Sequence, residues 1–173
     1  SIPYALFILL MAAYMRTDLP MLERLVGAEE SSIYQLAYRI LDAANMIAFL
    51  FAGILLPMFS RMLSKKISVE NLVATTSNIM LTASLALVAF CIIYARNILS
   101  LLYPDDTNSE LILIFSFLIA SFPAYCIMYI YSTLLTANWN ISLLIKIALF
   151  GSIFSISLNV VLIHFLHALG AAI

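Results

Sequence analysis

Long apolar runs separated by short polar connections dominate the pattern of this chain. A membrane-spanning helix needs about 20 mainly apolar residues, whereas a barrel strand needs about ten and alternates polar with apolar positions. The runs here are longer than strands and do not alternate, so they predict helices. Short loops predict an all-α, up-and-down membrane bundle that forms a single transmembrane domain. Its five predicted spans are residues 3–26, 31–60, 72–102, 109–136 and 141–169.

Helix caps and breakers set the bounds of these spans. Gly27 is a natural C-terminal cap for the first span, and Ser31 is a suitable N-cap for the second. The run Tyr103-Pro104-Asp105-Asp106 ends the third span. Pro20 predicts a kink near the charges of the first span, and Pro57 predicts a bend close to the end of the second. Pro123 lies near the middle of the fourth span.

The charges of the loops predict how the bundle is oriented. Basic residues follow the second span and begin the fifth, whereas the alternate loops are acidic. Because basic loops stay on the cytoplasmic side, we expect the N-terminus of the chain in the cytoplasm and the bundle in the inner (plasma) membrane. The basic residues are Arg61, Lys65, Lys66 and Lys146, and the acidic ones are Glu29, Glu30, Asp105, Asp106 and Glu110.

Composition excludes several classes of protein. The chain is 65% hydrophobic and 10% charged, with a net charge of −1, whereas a soluble domain carries about 25% charged residues. It has no basic run of the kind that binds nucleic acid. Cys91 and Cys126 lie in different spans without metal-ligand spacing, and known catalytic motifs are missing. We therefore expect neither an enzyme nor a cofactor or metal.

Charged residues inside two spans are the main functional signal. Arg16 and Asp18 lie in the first span, and Arg39 and Asp42 lie in the second. A charge at the centre of a membrane helix costs about 3 kcal/mol on insertion scales, so such residues normally face a watery cavity or a partner. They predict a pathway for a polar substrate.

The second span carries a polar stripe beside these charges. Gln35, Tyr38, Asp42 and Asn45 recur every three or four residues and therefore share one helical face. Arg39 borders that face and is spaced to pair with Asp42. The stripe should line an aqueous cavity or the interior of the bundle.

A purely structural role is the alternative for these charges. Arg16 with Asp42, or Arg39 with Asp18, could form ion pairs that only fix the helix packing. Buried pairs of this kind often do no more than break even in energy. Four ionisable groups are more than packing needs, which favours the cavity.

Several short motifs resemble those of a known family, the polysaccharide-type flippases of the multidrug/oligosaccharidyl-lipid/polysaccharide exporter superfamily. They are Tyr14-Met15-Arg16-Thr17-Asp18-Leu19-Pro20-Met21-Leu22, Gly27-Ala28-Glu29-Glu30, Ile33-Tyr34-Gln35-Leu36-Ala37-Tyr38-Arg39, Pro57-Met58-Phe59-Ser60-Arg61, Leu101-Leu102-Tyr103 and Leu169-Gly170-Ala171-Ala172. The resemblance implies a transporter that flips a polyprenyl-pyrophosphate-linked oligosaccharide outward by alternating access. It also implies that the five spans belong to the C-terminal lobe of a two-lobed protein.

The same resemblance assigns the charged residues to the cavity. Arg16, Asp18, Arg39 and Asp42 would line it, and H⁺ or Na⁺ could couple transport. Proteins of polysaccharide assembly would be partners. Glu23-Arg24 departs from the family pattern, which puts the outer end of the first span in doubt.

Three other functions remain open. A drug or cation antiporter of the same superfamily should concentrate carboxylates in its cavity. A membrane-embedded sugar-processing enzyme should show a large external loop or a catalytic His/Asp motif, and the external loops here are short. A non-transporting scaffold subunit would not need a second lobe.

Overall fold

A computed structural model describes residues 28–104 and 107–166, and every regular element within them is a helix. The first predicted span and the chain beyond Leu166 lie outside the described residues. The all-α prediction is confirmed for the part that the structure describes. The six helices are α1 (Ala28–Ser64), α2 (Glu70–Ile93), α3 (Ala95–Leu102), α4 (Ser109–Ala120), α5 (Phe122–Ala137) and α6 (Ile141–Leu166).

Single-residue breaks divide the third and fourth predicted spans. The break at Ser121 precedes Pro123, which lies in the first turn of α5. Backbone N–H groups in a first turn have no helical acceptor, so a proline there costs no hydrogen bond. The break at Tyr94 has no proline or glycine beside it, so the sequence carried no signal for it. Pro57 lies inside α1, and the helix continues past it to Ser64.

The helices alternate in direction along the bundle. The rings of Phe49 in α1 and Tyr129 in α5 meet edge-on at 6.1 Å, and Phe59 packs in one cluster with Ala137 further along both helices. The helices α1 and α5 therefore run parallel. The helix α2 runs the other way, because Val73 near its start packs against that same cluster.

The fourth predicted span is the centre of this arrangement. Helix α5 packs against α1, α2 and α6, and α4 packs against α1, α2 and α3. Within the described residues, α1 and α2 follow one another in the chain but pack mainly on α4 and α5 rather than on each other. The core therefore forms around α4 and α5, which are apolar on several sides.

Two apolar clusters hold the bundle together. The larger one gathers Tyr34 and Leu41 of α1 with Leu99 of α3 and Phe115 of α4. The smaller one surrounds Phe59 at the other end of α1. These side chains are all but inaccessible to solvent, so each cluster ties at least three helices together.

Three segments are long and apolar enough to cross a membrane: residues 31–64, 70–93 and 109–137. Large apolar side chains cover their outer faces, among them Met46, Ile54 and Phe90. Such an exposed apolar surface is costly in water and favourable in lipid. The helices are those of a membrane protein.

Candidate functional site

The predicted polar stripe lies along one border of the buried face of α1, and we call it the polar edge (Gln35, Tyr38, Asp42 and Asn45). Gln35 and Asp42 are exposed, Tyr38 is half-buried and Asn45 is 7% exposed. The edge therefore leads from the surface of the bundle into its core. A hydrogen bond orients the first residue of the polar edge: the Gln35 amide donates to the Ser31 hydroxyl at 3.5 Å.

Helix α5 contributes tyrosines beside this edge. The Asp42 carboxylate lies close enough to Tyr129 to act on it electrostatically, and Tyr129 also contacts Phe49 one turn beyond Asn45. Tyr125 lies one turn earlier in α5 and is half-buried against the larger cluster. Sequence reasoning missed both tyrosines, although their spacing of four residues places them on one face of α5.

Asn45 is the innermost residue of the polar edge. Its Oδ1 atom is buried and has no hydrogen-bond partner among the described residues. A buried acceptor without a partner costs about 1–3 kcal/mol, so such an atom needs an explanation other than stability. It marks the place where the edge offers a free acceptor inside the bundle.

Arg39 borders the polar edge but does not pair with Asp42. Both side chains are exposed, and no ion pair joins them in the structure of α1. The expected pairing at this spacing is therefore corrected. Spacing of three residues allows such a pair, but it does not fix the rotamers of the two side chains.

The charges of α1 lie near the two ends of an apolar segment rather than in its middle. Residues 43–60 carry no charge and are bounded by Asp42 and Arg61. At 1.5 Å per residue, the two charged residues are about 28 Å apart along the helix, close to the ~30 Å hydrocarbon thickness of a bilayer. Arg39 and Asp42 therefore lie about one membrane thickness from the basic connection that follows α1.

The exposed surface of α1 changes character at Met46. Its large exposed apolar residues all lie from Met46 onward, whereas Ser32, Gln35 and Arg39 are exposed before it. At the corresponding level of the bundle, α4 exposes Leu113 and Phe117 instead. The short helix α3, which shares the larger cluster with this part of α1, exposes Arg96 and Asn97, so polar surface at this level is not confined to α1.

The remaining candidates are placed as follows. Arg16 and Asp18 lie outside the described residues, so their relation to the polar edge stays a prediction. Within the described part of the chain no group of three or more His, Cys, Asp or Glu side chains could hold a metal ion. Cys91 and Cys126 are buried, free thiols.

Comparisons with known proteins give no family for this chain: no family model, no curated protein and no solved structure matches it.

Proposed function

We propose that the chain is part of a membrane transporter that flips a polyprenyl-pyrophosphate-linked oligosaccharide outward for cell-surface polysaccharide export. One observation carries the proposal: α1 has a polar edge, bordered by an arginine, at the end of an uncharged segment that is about one membrane thickness long. The edge reaches into the uncharged segment at Asn45, whose Oδ1 atom is buried without a partner among the described residues, and an unsatisfied polar atom at membrane depth costs several kcal/mol unless a cavity or a cargo satisfies it.

The chemistry of Arg39 fits an anionic cargo. A guanidinium offers paired donors that match phosphate oxygens, and it stays charged at any physiological pH. Asp42 does not form an ion pair with Arg39 in α1. Gln35 lies one turn before Arg39, where its amide can bind sugar hydroxyls or phosphate oxygens. Aromatic rings of Tyr38 and Tyr129 beside the edge suit stacking against sugar faces.

The architecture of the proposed transporter follows from the family resemblance. The described helices would belong to one lobe, with Arg16 and Asp18 on a neighbouring helix that lines the same cavity. The second lobe would face the polar edge, and rocking of the lobes would open the cavity to either side. We place the N-terminus of the chain in the cytoplasm and the bundle in the plasma membrane.

A cation-coupled antiporter is the second candidate, and Asp42 is the observation that favours it. Its carboxylate is exposed and not neutralised by Arg39, and it acts on Tyr129. A carboxylate on a cavity wall is a suitable binding group for H⁺, Na⁺ or a cationic drug. The same group would serve as a coupling site in the flippase.

The test is transport in proteoliposomes that contain the full protein. Movement of a fluorescent polyprenyl-pyrophosphate oligosaccharide would be followed in the wild type and in Arg39→Ala, Arg39→Lys and Arg16→Ala. Arg96→Ala is the matched control, because Arg96 is an exposed arginine of α3 away from the polar edge. All variants would be compared at equal amounts of folded protein.

We expect loss of movement in Arg39→Ala, partial activity in Arg39→Lys and wild-type activity in Arg96→Ala. Unchanged movement in Arg39→Ala would reduce Arg39 to a structural residue. If the wild type moves no lipid-linked sugar but exchanges a cation or a cationic dye in a way that Asp42→Asn abolishes, the antiporter replaces the flippase.

A further inference from the structure

Two helices end in the same way, each with a non-glycine residue in the left-handed region. At the end of α1, the N–H of Ile67 donates to the Met62 carbonyl and the N–H of Lys66 to the Leu63 carbonyl, both at 3.0 Å. At the end of α5, the N–H of Asn140 donates to the Leu135 carbonyl at 3.0 Å and the N–H of Trp139 to the Thr136 carbonyl at 3.1 Å. Both patterns are Schellman caps.

The residue that closes each cap is unsuited to its backbone. A Schellman cap places its C′ residue in the left-handed region, where glycine is favoured because it has no Cβ. Here the residues are Lys66, with φ 54°, and Trp139, with φ 57°. Each such residue costs about 1–3 kcal/mol, which makes the two positions candidates for a function of their side chains.

The two caps lie at the same end of the bundle. Phe59 near the end of α1 and Ala137 at the end of α5 share the smaller apolar cluster, and Val69 at the start of α2 packs against it. Four exposed basic side chains lie at this end. Glu70 is the acidic residue of the described chain there. We call this end the basic end (Arg61, Lys65, Lys66, Trp139 and Lys146).

The basic end also exposes apolar surface. Trp139 is 84% exposed, the largest exposure among the large apolar side chains, and Ile67 is 52% exposed. Tryptophan concentrates at membrane interfaces, where its ring lies at the depth of the headgroups. Lysine and arginine beside a span attract anionic headgroups and snorkel toward them.

We propose that the basic end is a binding surface for the headgroups of anionic phospholipids. The cations supply the charge complementarity, and Trp139 inserts its indole at the headgroup level while its N–H remains available as a donor. Residues 43–60 end beside Arg61, so the basic end lies where a bilayer surface would meet the bundle. This position favours a lipid surface over a soluble acidic protein.

Trp139 makes the proposal directly measurable, because it is the single tryptophan of the 173-residue chain. The chain would be reconstituted into phosphatidylcholine bilayers, and its fluorescence followed as brominated phosphatidylglycerol or brominated phosphatidylcholine is added. Bromine quenches the indole only at close range. We expect quenching by both lipids, with a preference for phosphatidylglycerol of about fivefold for each cation that contacts the headgroup.

Lys66→Gly separates a lipid-binding role from a structural one. Glycine relieves the left-handed strain, so the variant should melt at a higher temperature in detergent than the wild type. The same variant should lose about fivefold of the preference for phosphatidylglycerol. Arg96→Ala, in α3 beyond the other end of α2, is the charge-matched control and should change neither quantity.

Two results would overturn the proposal. One is equal quenching of Trp139 by the anionic and the zwitterionic lipid in the wild type. The other is a preference for phosphatidylglycerol that survives intact in both Lys66→Gly and a Lys65→Ala/Lys66→Gly double variant. Binding of a soluble acidic polypeptide with no effect of lipid charge would assign the basic end to a protein partner instead.

Discussion

The Ser84 hydroxyl of α2 lies beside the Cys126 thiol of α5 at the boundary between the two helices. The Ser84 hydroxyl donates its hydrogen to the Leu81 carbonyl of its own helix at 3.0 Å. Both side chains are almost fully buried. The pair is a polar link between α2 and the central helix of an apolar bundle.

Removing this link should weaken the bundle slightly. Polar contacts between membrane helices contribute about 0.6 kcal/mol on average, so we expect Ser84→Ala to lower the free energy of unfolding by about that amount. Unfolding in mixed detergent micelles would measure it. Thr82→Ala is the control, because the Thr82 hydroxyl bonds to the Asn78 carbonyl of its own helix. A loss in Thr82→Ala as large as in Ser84→Ala would contradict the prediction.

The change in surface character along α1 predicts a change in chemical accessibility. Single cysteines at Gln35 and Asp42 should react quickly with a water-soluble maleimide, because the polar edge faces water. A cysteine at Ile47, which is 65% exposed but on the apolar part of α1, should react at least about tenfold more slowly, since maleimide addition needs a thiolate and lipid disfavours the charged form.

The experiment would be made in bilayers with the buried native thiols Cys91 and Cys126 in place. Adding the reagent from one side at a time would also locate the polar edge relative to the membrane. Equal rates at positions 35, 42 and 47 would show that the polar edge is not in contact with water.

Asn45 should be a residue whose replacement stabilises the fold. Its buried Oδ1 atom lacks a partner among the described residues, so Asn45→Leu removes an unsatisfied acceptor while keeping the number and branching of the side-chain heavy atoms. We expect the free energy of unfolding to rise by about 1 kcal/mol. The same variant should lose transport activity if Asn45 serves the cavity. A lower melting temperature in detergent would contradict the first expectation.

Neighbouring residues near the end of α1 should differ sharply in their effect on stability. Phe59 is fully buried in the smaller cluster, whereas Met58 is 44% exposed on the lipid side. Phe59→Ala leaves a cavity between three helices and should cost about 2 kcal/mol or more, and Met58→Ala should cost under about 0.5 kcal/mol. Equal losses in detergent unfolding would show that the cluster does not hold α1, α2 and α5 together.

The sequence was enough to predict the helices of the described chain. Apolar runs of more than 20 residues predict helices in lipid, and α6 begins at Ile141 as predicted. The N-cap predicted at Ser31 is wrong, because α1 begins at Ala28 and continues to Ser64. The polar stripe was also predictable from the sequence, because a helix has 3.6 residues per turn whatever surrounds it. The basic residues that flank the second and fifth predicted spans likewise indicated the charge of the basic end.

Other features depended on contacts between distant parts of the chain. The break at Tyr94, without glycine or proline, and the central place of α4 and α5 arise from packing among helices. Only packing brings Tyr129 of α5 to Asp42 of α1. The failure of Arg39 to pair with Asp42 depends on the direction of two side chains, which residue spacing does not specify.

Local periodicity is a property of the backbone, so the sequence by itself determined the helices, the polar edge and the charge of the basic end. Which faces meet depends on the fit of side chains between helices, because lipid and helix surfaces are equally apolar and hydropathy does not choose between partners. The tertiary structure alone therefore decided the neighbours of α1, the surroundings of Asp42 and Asn45, and the left-handed caps at Lys66 and Trp139.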